Sequence, residues 1–184
     1  MHIKKDLERV LLSEEEIRIR IASLADKINK DYDGAPLIVI GILRGSVIFM
    51  ADLIRKLNMP LSYDFMAVSS YGDAATSSGT IRINYDIKTD IKNKHVLVVE
   101  DIIDTGRTLD RLKTILLGKD PSSFKIITLL DKPERREVDV AVDYVGFTIP
   151  DEFVVGYGLD YANRYRNLPY IAVLKREVYT PVNH

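Results

Sequence analysis

The sequence of 184 residues contains no cysteine, which excludes disulfide bonds and thiolate chemistry. Its three histidines, His2, His95 and His184, lie too far apart along the chain to form a metal-binding motif. The longest apolar stretches, near residues 37–43 and 96–99, are far shorter than the ~18 residues that a membrane span needs. The first residues are charged where a signal peptide needs an apolar core. We therefore expect a soluble, cytoplasmic protein with no membrane partner.

The length and charge of the chain restrict its class further. A chain of 184 residues fits one domain, spanning residues 1–184, with a core large enough to need no disulfide or metal. A hydrophobic content of 46% and a charged content of 29% are typical of an ordinary soluble protein. The net charge of −1 provides no general attraction to nucleic acid, so we expect no nucleic-acid partner.

The most informative segment is residues 96–108, Val-Leu-Val-Val-Glu-Asp-Ile-Ile-Asp-Thr-Gly-Arg-Thr. Its apolar run predicts a buried strand that ends at Glu100 and Asp101, and a third acid, Asp104, follows. Residues 105–108 then lead into an amphipathic helix, and they offer backbone N–H groups, two hydroxyls and a cation where a phosphate is favoured. A sugar that carries a 5′-phosphate, with its diol held by the acids, would use both halves of this segment.

The remaining pattern alternates strands and helices, which favours an open, mainly parallel α/β sheet. A capping box at residues 13–16 starts one helix, Val47, Met50, Ile54 and Leu57 form the apolar face of a second, and Gly118 ends a third. Residues 69–80 are small and polar and predict a long loop. Strands are predicted at residues 37–42, 61–68, 81–85, 96–99, 125–130, 142–147, 153–157 and 170–174.

Residues 96–108 closely resemble the phosphoribosyl pyrophosphate (PRPP) signature of the type I phosphoribosyltransferases. The resemblance implies an open, mainly parallel twisted sheet flanked by helices, with a small hood lobe formed by the N-terminal and C-terminal segments. It also implies that Glu100 and Asp101 position the ribose diol, directly or through Mg²⁺-bound water. Asp104 would act as the general base that accepts the purine N7 proton, and the 5′-phosphate would bind at Thr105, Gly106, Arg107 and Thr108.

Residues 43–45, Leu-Arg-Gly, follow a predicted strand and precede a predicted helix. Taken alone, this segment is a simple turn with a solvated arginine. The family resemblance implies instead that Leu43, Arg44 and Gly45 form a pyrophosphate loop. Many relatives have lysine at the position of Arg44, and the peptide bond before that residue can be cis in the family.

Two further segments have a simple reading and a functional one. The loop at residues 69–80 is longer than an ordinary connector. Ser70 and Tyr71 match the mobile lid of the family, whose closure would exclude water from the reactive sugar cation.

Lys132 follows a strand, and by pattern alone it is an exposed lysine. In the family a lysine at this place donates to the 6-oxo group of a purine. We interpret residues 134–137, Glu-Arg-Arg-Glu, as a solvated turn.

Residues 150–161 form by pattern a strand and a glycine-rich turn. They resemble the base-specificity segment of the hypoxanthine-guanine phosphoribosyltransferases. That resemblance implies that Phe153 stacks on the purine and that the backbone of Val154 contacts the base edge. Asp160 would help to hold a second Mg²⁺, so that the metal ligands would be Glu100, Asp101 and Asp160. Arg166 would reach the pyrophosphate.

The resemblance covers essentially the whole chain and implies a purine-salvage enzyme. The expected substrates are PRPP and a 6-oxopurine, the expected cofactor is Mg²⁺, and the expected assembly is a homodimer or homotetramer. The sequence leaves open the preference among hypoxanthine, guanine and xanthine. One alternative is a catalytically weak protein of the same fold that binds PRPP or nucleotides and has a regulatory role. A receiver-like protein is a second alternative, but it does not account for residues 105–108.

Overall fold

The computed structural model describes residues 3–70 and 81–180, which form nine strands, four α-helices and two short 3₁₀ helices. The strands are β1 (Leu7–Leu12), β2 (Leu37–Leu43), β3 (Leu61–Ser70), β4 (Ile81–Tyr85), β5 (His95–Ile103), β6 (Ser123–Asp131), β7 (Tyr144–Thr148), β8 (Val154–Val155) and β9 (Ile171–Leu174). The α-helices are α1 (Glu14–Tyr32), α2 (Val47–Ile54), α3 (Arg107–Leu117) and α4 (Arg176–Tyr179), and the 3₁₀ helices are Ile3–Asp6 and Pro133–Arg135.

Six strands form the central sheet in the order β4-β3-β2-β5-β6-β7. All neighbouring pairs are parallel except β3 and β4, which are antiparallel. Residues 96–99 of β5 are fully buried because helices cover both faces of the sheet, as is usual for parallel strands. The predicted open, mainly parallel α/β sheet is therefore confirmed.

Helices α1 and α2 pack on one face of the sheet, and α3 packs on the other. The predicted capping box is present, because the Ser13 side chain accepts from the Glu16 N–H and the Glu16 carboxylate accepts from the Ser13 N–H. Gly118 ends α3, as predicted. No helix in the described ranges is long and apolar enough to cross a membrane.

The predicted apolar face of α2 is correct for Met50, which is buried, and for Ile54 and Leu57, which pack against the core, although Leu57 lies beyond the helix end. It is wrong for Val47, which is exposed, and it missed the buried residues Phe49 and Leu53. The helix has only eight residues and seven of them are apolar, so the sequence has no polar side that could fix its orientation.

A second sheet of three antiparallel strands has the order β1-β9-β8. It combines a strand near the start of the chain with two strands from its last third. The sequence did not predict β1, because three of its six residues are exposed and they do not alternate with buried ones. Strand β8 has two residues rather than the predicted five.

Candidate active site

A phosphate-sized cavity of about 130 Å³ lies where β5 ends and α3 begins. It is lined by Glu100, Ile102, Ile103, Asp104, Thr105, Gly106, Thr108 and Leu109. The structure therefore brings two of the three predicted acids to the same cavity as the predicted phosphate-binding turn. The cavity lies beyond the carboxyl ends of the parallel strands, where ligands of open α/β sheets bind.

The turn before α3 places backbone N–H groups at the helix N-terminus. Gly106 has φ 83°, and a Cβ at this position would lie 2.7 Å from the Val138 carbonyl oxygen, so only glycine fits. The first intrahelical bond is donated by the Asp110 N–H to the Gly106 carbonyl, so the N–H groups before Asp110 do not bond within the helix. Of these, the Arg107 N–H donates to Thr105 Oγ1 at 3.4 Å. The Arg107 side chain instead pairs with Glu137, with Nε 2.6 Å from Oε2, and does not line the cavity.

Glu100 and Asp101 form a pair of acids in a desolvated position. The Glu100 Oε2 atom is buried and has no hydrogen-bond partner among the described residues. Burial, with the neighbouring charge of Asp101, raises the pKa of Glu100 well above its usual value. Burial also raises the pKa of Asp101 to about 6, although the Ile102 N–H and Arg166 act in the opposite direction. A cation at this pair would offset both penalties, so the donor set fits a hard divalent ion.

The turn at residues 43–45 packs directly against this acid pair. The peptide bond between Leu43 and Arg44 is cis. A Cβ at Gly45 would lie 1.5 Å from Asp101 Oδ2, so the carboxylate occupies the space that a side chain would need. On the other side, a Cβ at Gly158 would lie 2.0 Å from the Gly45 carbonyl oxygen. The turn is therefore enclosed between β5 and the segment after β8.

Polar contacts extend from this turn to Arg166. Arg44 donates to the Asn163 side-chain oxygen at 3.2 Å, and the Asn163 N–H donates to Asp160 Oδ2 at 2.8 Å. The other Asp160 oxygen pairs with Arg166 at 2.6 Å, and Arg166 also donates to the Gly158 carbonyl at 2.7 Å. Four residues that the resemblance implies for pyrophosphate and metal, namely Arg44, Gly45, Asp160 and Arg166, thus belong to one connected group.

A second cavity of about 410 Å³ adjoins the first, and Asp104 lines both. Its lining residues are Ile102, Asp104, Lys132, Arg135, Asp151, Glu152, Phe153, Val154, Leu159 and Tyr179. The three residues predicted to contact a purine, Lys132, Phe153 and Val154, all belong to this set. The two cavities together provide space for a phosphorylated sugar and a base on either side of Asp104.

Lys132 is buried rather than exposed, with only 8% of its surface accessible. Its Nζ atom donates to the Glu152 carbonyl at 2.6 Å and lies 3.6 Å from Asp151 Oδ1. The simple interpretation of Lys132 as an exposed lysine is therefore wrong. Burial of an ammonium group requires such partners, because an unpaired buried charge is costly.

Phe153 keeps 37% of its surface exposed, at the mouth of the second cavity. Its ring stacks on Tyr179 with the centroids 4.7 Å apart and an interplanar angle of 20°. The ring of Tyr161 forms an edge-to-face contact with Phe153, with the centroids 5.6 Å apart. Two aromatic neighbours hold Phe153 in place, and α4 supplies one of them.

Arg135, Asp151 and Tyr179 are among the residues of this cavity that sequence reasoning missed. The interpretation of residues 134–137 as a solvated turn is wrong in part, because Arg135 Nε lies 3.0 Å from Asp104 Oδ1 and Arg136 pairs with Asp131. The only local signal was Pro133, which can open a tight turn and so return Arg135 towards the strand end. Of the predicted lid residues, Ser70 is the last residue of β3 and Tyr71 lies outside the described residues.

The chain belongs to the family described as the phosphoribosyl transferase domain, which matches residues 10–162. A hypoxanthine phosphoribosyltransferase of Haemophilus influenzae is 54% identical over 172 residues, covering 92% of this chain and 96% of that protein. A hypoxanthine-guanine phosphoribosyltransferase of Streptococcus pneumoniae is 52% identical, covering 97% and 99% of the two chains. The crystal structure of a Staphylococcus aureus hypoxanthine phosphoribosyltransferase matches with a TM-score of 0.95 at 50% identity, with 98% of each chain covered. These similarities confirm the resemblance and the fold that it implied.

Proposed function

We propose that this protein is a purine-salvage enzyme. It transfers the 5-phosphoribosyl group from PRPP to N9 of hypoxanthine and guanine and releases pyrophosphate, giving IMP and GMP. The observation that carries the proposal is the position of Asp104, at the junction of a phosphate-sized cavity and a larger cavity with an aromatic wall. Relatives that are more than 50% identical over nearly the whole chain are named for this activity.

The reaction is a displacement at the anomeric carbon of the ribose. The bond from C1′ to the pyrophosphate oxygen breaks, the bond from C1′ to N9 forms, and an oxocarbenium-like transition state lies between them. As N9 attacks, Asp104 accepts the proton of N7. General base catalysis of this kind contributes about 10²–10⁴-fold, and positioning and charge stabilisation supply the rest of the acceleration.

The acids hold the ribose and the metal. We assign the ribose diol and a first divalent cation to Glu100 and Asp101, and we assign to Asp160 a part in holding a second Mg²⁺. The unpartnered Glu100 oxygen and the raised pKa of both acids support this assignment. Mg²⁺ would neutralise the pyrophosphate leaving group and would take its remaining ligands from substrate oxygens and water. In the described residues, no group of three or more acidic or histidine side chains is arranged to hold a metal alone.

Backbone amides and cationic side chains would bind the phosphate groups. We assign the 5′-phosphate to the turn formed by residues 105–108, and the pyrophosphate to Leu43, Arg44, Gly45 and Arg166. The N–H groups at the start of α3 and the contacts around Gly45 support these assignments. Ser70 and Tyr71 would belong to a lid that excludes water from the sugar cation.

The purine is assigned to the larger cavity. Phe153 would stack on the base and the backbone of Val154 would contact its edge, while Lys132 would donate to the 6-oxo group. Lys132 uses its ammonium group for the Glu152 carbonyl, and an ammonium carries three donors, so it can also serve the base. Because adenine has an amino group at this position, Lys132 would discriminate against it.

We also propose a homodimer or homotetramer, a cytoplasmic location, and a single domain over residues 1–184 with the three-stranded sheet as its hood. The lack of cysteine suits a reducing compartment. The larger cavity draws its lining from β5, from the turn that follows β6, from the segment around β8 and from α4, which supports one cooperative unit. Size-exclusion chromatography with light scattering tests the assembly, and a single thermal transition tests the domain.

A spectrophotometric assay with PRPP and Mg²⁺ tests the function, with hypoxanthine, guanine, xanthine, adenine and uracil offered separately. We expect turnover of hypoxanthine and guanine, with little or none of adenine and uracil. The rates measured with hypoxanthine, guanine and xanthine rank the three 6-oxopurines. If no base reacts while PRPP or nucleotide still binds, the enzyme proposal fails and the regulatory alternative takes its place.

A further inference from the structure

The guanidinium of Arg135 lies against the carboxylate of Asp104, with Nε 3.0 Å from Oδ1. Both side chains are about half exposed, and both line the larger cavity. Arg135 thus occupies one oxygen of the carboxylate and leaves the second, Oδ2, for another partner.

The backbone around Arg135 is fixed to the residues on both sides of Asp104. The Lys132 N–H donates to the Ile103 carbonyl at 3.0 Å, and the N–H groups of Glu137 and Val138 donate to the Thr105 carbonyl at 3.0 and 3.1 Å. Between these anchors, the 3₁₀ turn that begins at Pro133 is closed by the Arg135 N–H, which donates to the Lys132 carbonyl. The backbone of Arg135 is therefore held in a constant position relative to Asp104.

The contact continues along the rim of the cavity to Lys132. Arg135 Nη1 lies 3.8 Å from Asp151 Oδ2, and Lys132 Nζ lies 3.6 Å from Asp151 Oδ1. Acidic and basic groups therefore alternate in the order Asp104, Arg135, Asp151 and Lys132. This row joins the group assigned to the purine N7 proton to the group assigned to the purine 6-oxo oxygen.

We propose that Arg135 is a positioning residue that orients the Asp104 carboxylate for proton transfer and couples it to Lys132 through Asp151. By holding Oδ1, Arg135 fixes the rotation of the carboxylate and keeps Oδ2 available for the proton of the base. An exposed ion pair adds little to folding stability, but the same contact is valuable where a reacting group must keep one orientation. This inference rests on the proposed function, because it assumes that Asp104 is the base.

The test uses Arg135→Gln and Arg135→Lys in the full chain, with Arg18→Gln as a matched control. Arg18 also forms an exposed ion pair, with Glu15 of α1, and it contributes to neither cavity described above. The measurements are kcat, the KM values for hypoxanthine and PRPP, and the melting temperature. We expect Arg135→Gln to lower kcat about tenfold or more, with the KM for PRPP and the melting temperature unchanged. Arg135→Lys keeps the charge but lacks the forked donors of the guanidinium, so its kcat should lie between those of Arg135→Gln and the wild type.

A double-mutant cycle separates positioning from a general structural effect. If Arg135 acts through Asp104, Arg135→Gln should cause little further loss of kcat in an Asp104→Asn background. An equal fold-loss in both backgrounds, or a kcat of Arg135→Gln within twofold of the wild type, would overturn the inference. If the wild type itself fails to convert any purine, the proposed function has failed and not the inference alone.

Discussion

The Asp101 carboxylate occupies the position of the missing side chain of Gly45. A Cβ at Gly45 would lie 1.5 Å from Asp101 Oδ2 and 2.5 Å from its Cγ. Gly45 follows β2 and Asp101 lies near the carboxyl end of β5. These strands are parallel neighbours in the central sheet, so their carboxyl ends meet at one edge. The absence of a side chain in the proposed pyrophosphate loop thus determines where one of the proposed metal ligands can lie.

The first prediction concerns Gly45→Ala. The new methyl group must displace the Asp101 carboxylate, which is the end of a short side chain and can rotate away. We therefore expect the protein to fold with a nearly unchanged melting temperature, while kcat/KM for PRPP falls about 10²-fold because the carboxylate is misplaced. Gly118→Ala is the control, since its Cβ would have no neighbour closer than 3.4 Å. Wild-type kinetics for Gly45→Ala would show that the contact has no role in PRPP binding.

The second prediction concerns the pH dependence of stability in the metal-free protein. Burial raises the pKa of Asp101 from 3.8 to about 6, so the folded state binds a proton more tightly than the unfolded chain does. The resulting stabilisation is complete below about pH 4 and is lost as the pH rises through about 6. For Asp101 alone this loss amounts to about 3 kcal/mol in the free energy of unfolding.

Asp101→Asn removes this titration, and the exposed Asp139→Asn is the control. Denaturant unfolding in EDTA between pH 4 and 7 should show the free energy of unfolding of Asp101→Asn rising relative to the wild type as the pH increases. The control should stay parallel to the wild type. A constant difference between Asp101→Asn and the wild type over this range would contradict the desolvated position of the carboxylate.

The third prediction is that Asp104→Asn folds normally but loses at least about a hundredfold in kcat with hypoxanthine. The amide keeps the shape of the carboxylate but cannot accept the purine proton. Steady-state kinetics at saturating PRPP check it, with circular dichroism to show that the fold is intact. Near-wild-type turnover would remove Asp104 from the role of general base.

The fourth prediction concerns Lys132→Ala, which should raise the KM for hypoxanthine more than the KM for PRPP. The lysine lines the larger cavity and not the phosphate-sized one. Its loss should therefore weaken binding of the purine rather than binding of the sugar phosphate. Lys119→Ala is the control, because Lys119 forms an ion pair with Asp86 and lines neither of the two cavities. An unchanged KM for hypoxanthine would refute the assignment of Lys132 to the 6-oxo group.

The sequence allowed prediction of those parts of the fold and site that are encoded within a few neighbouring residues. The apolar run at residues 96–99, the acids after it and the glycine-containing turn before α3 all follow one another along the chain, so their places follow from the strand and helix around them. The orientation of α2 depended instead on which side of an almost wholly apolar helix met the sheet. Local pattern contains no information about such a choice.

The contacts that sequence reasoning missed join residues that are distant along the chain. The partner of Asp104 is Arg135, 31 positions away, and it is brought close by the backbone bonds between the 3₁₀ turn and the end of β5. The simple interpretation of Lys132 failed for the same reason, since its burial depends on the segment at residues 151–152 that crosses above it. Tertiary packing, rather than local propensity, determines these positions.

The last prediction concerns Tyr179, whose ring stacks on Phe153 at 4.7 Å. Both rings line the larger cavity, and aromatic pairs of this kind contribute about 0.5–1.5 kcal/mol beyond the area that they bury. Removal of Tyr179 leaves Phe153 without its stacked neighbour. We therefore expect Tyr179→Ala to raise the KM for hypoxanthine by about two- to twelvefold, which is the equivalent of that energy. The KM for PRPP should not change, because Tyr179 is absent from the phosphate-sized cavity.

Tyr179→Phe is the matched control, because it keeps the ring and removes only the hydroxyl. It should retain the wild-type KM for hypoxanthine, whereas the alanine variant should not. A fluorescence or calorimetric titration with IMP would separate weaker binding of the base from a slower chemical step. If both variants raise the KM equally, the hydroxyl rather than the stacked ring matters. If neither raises it, Tyr179 does not act through Phe153.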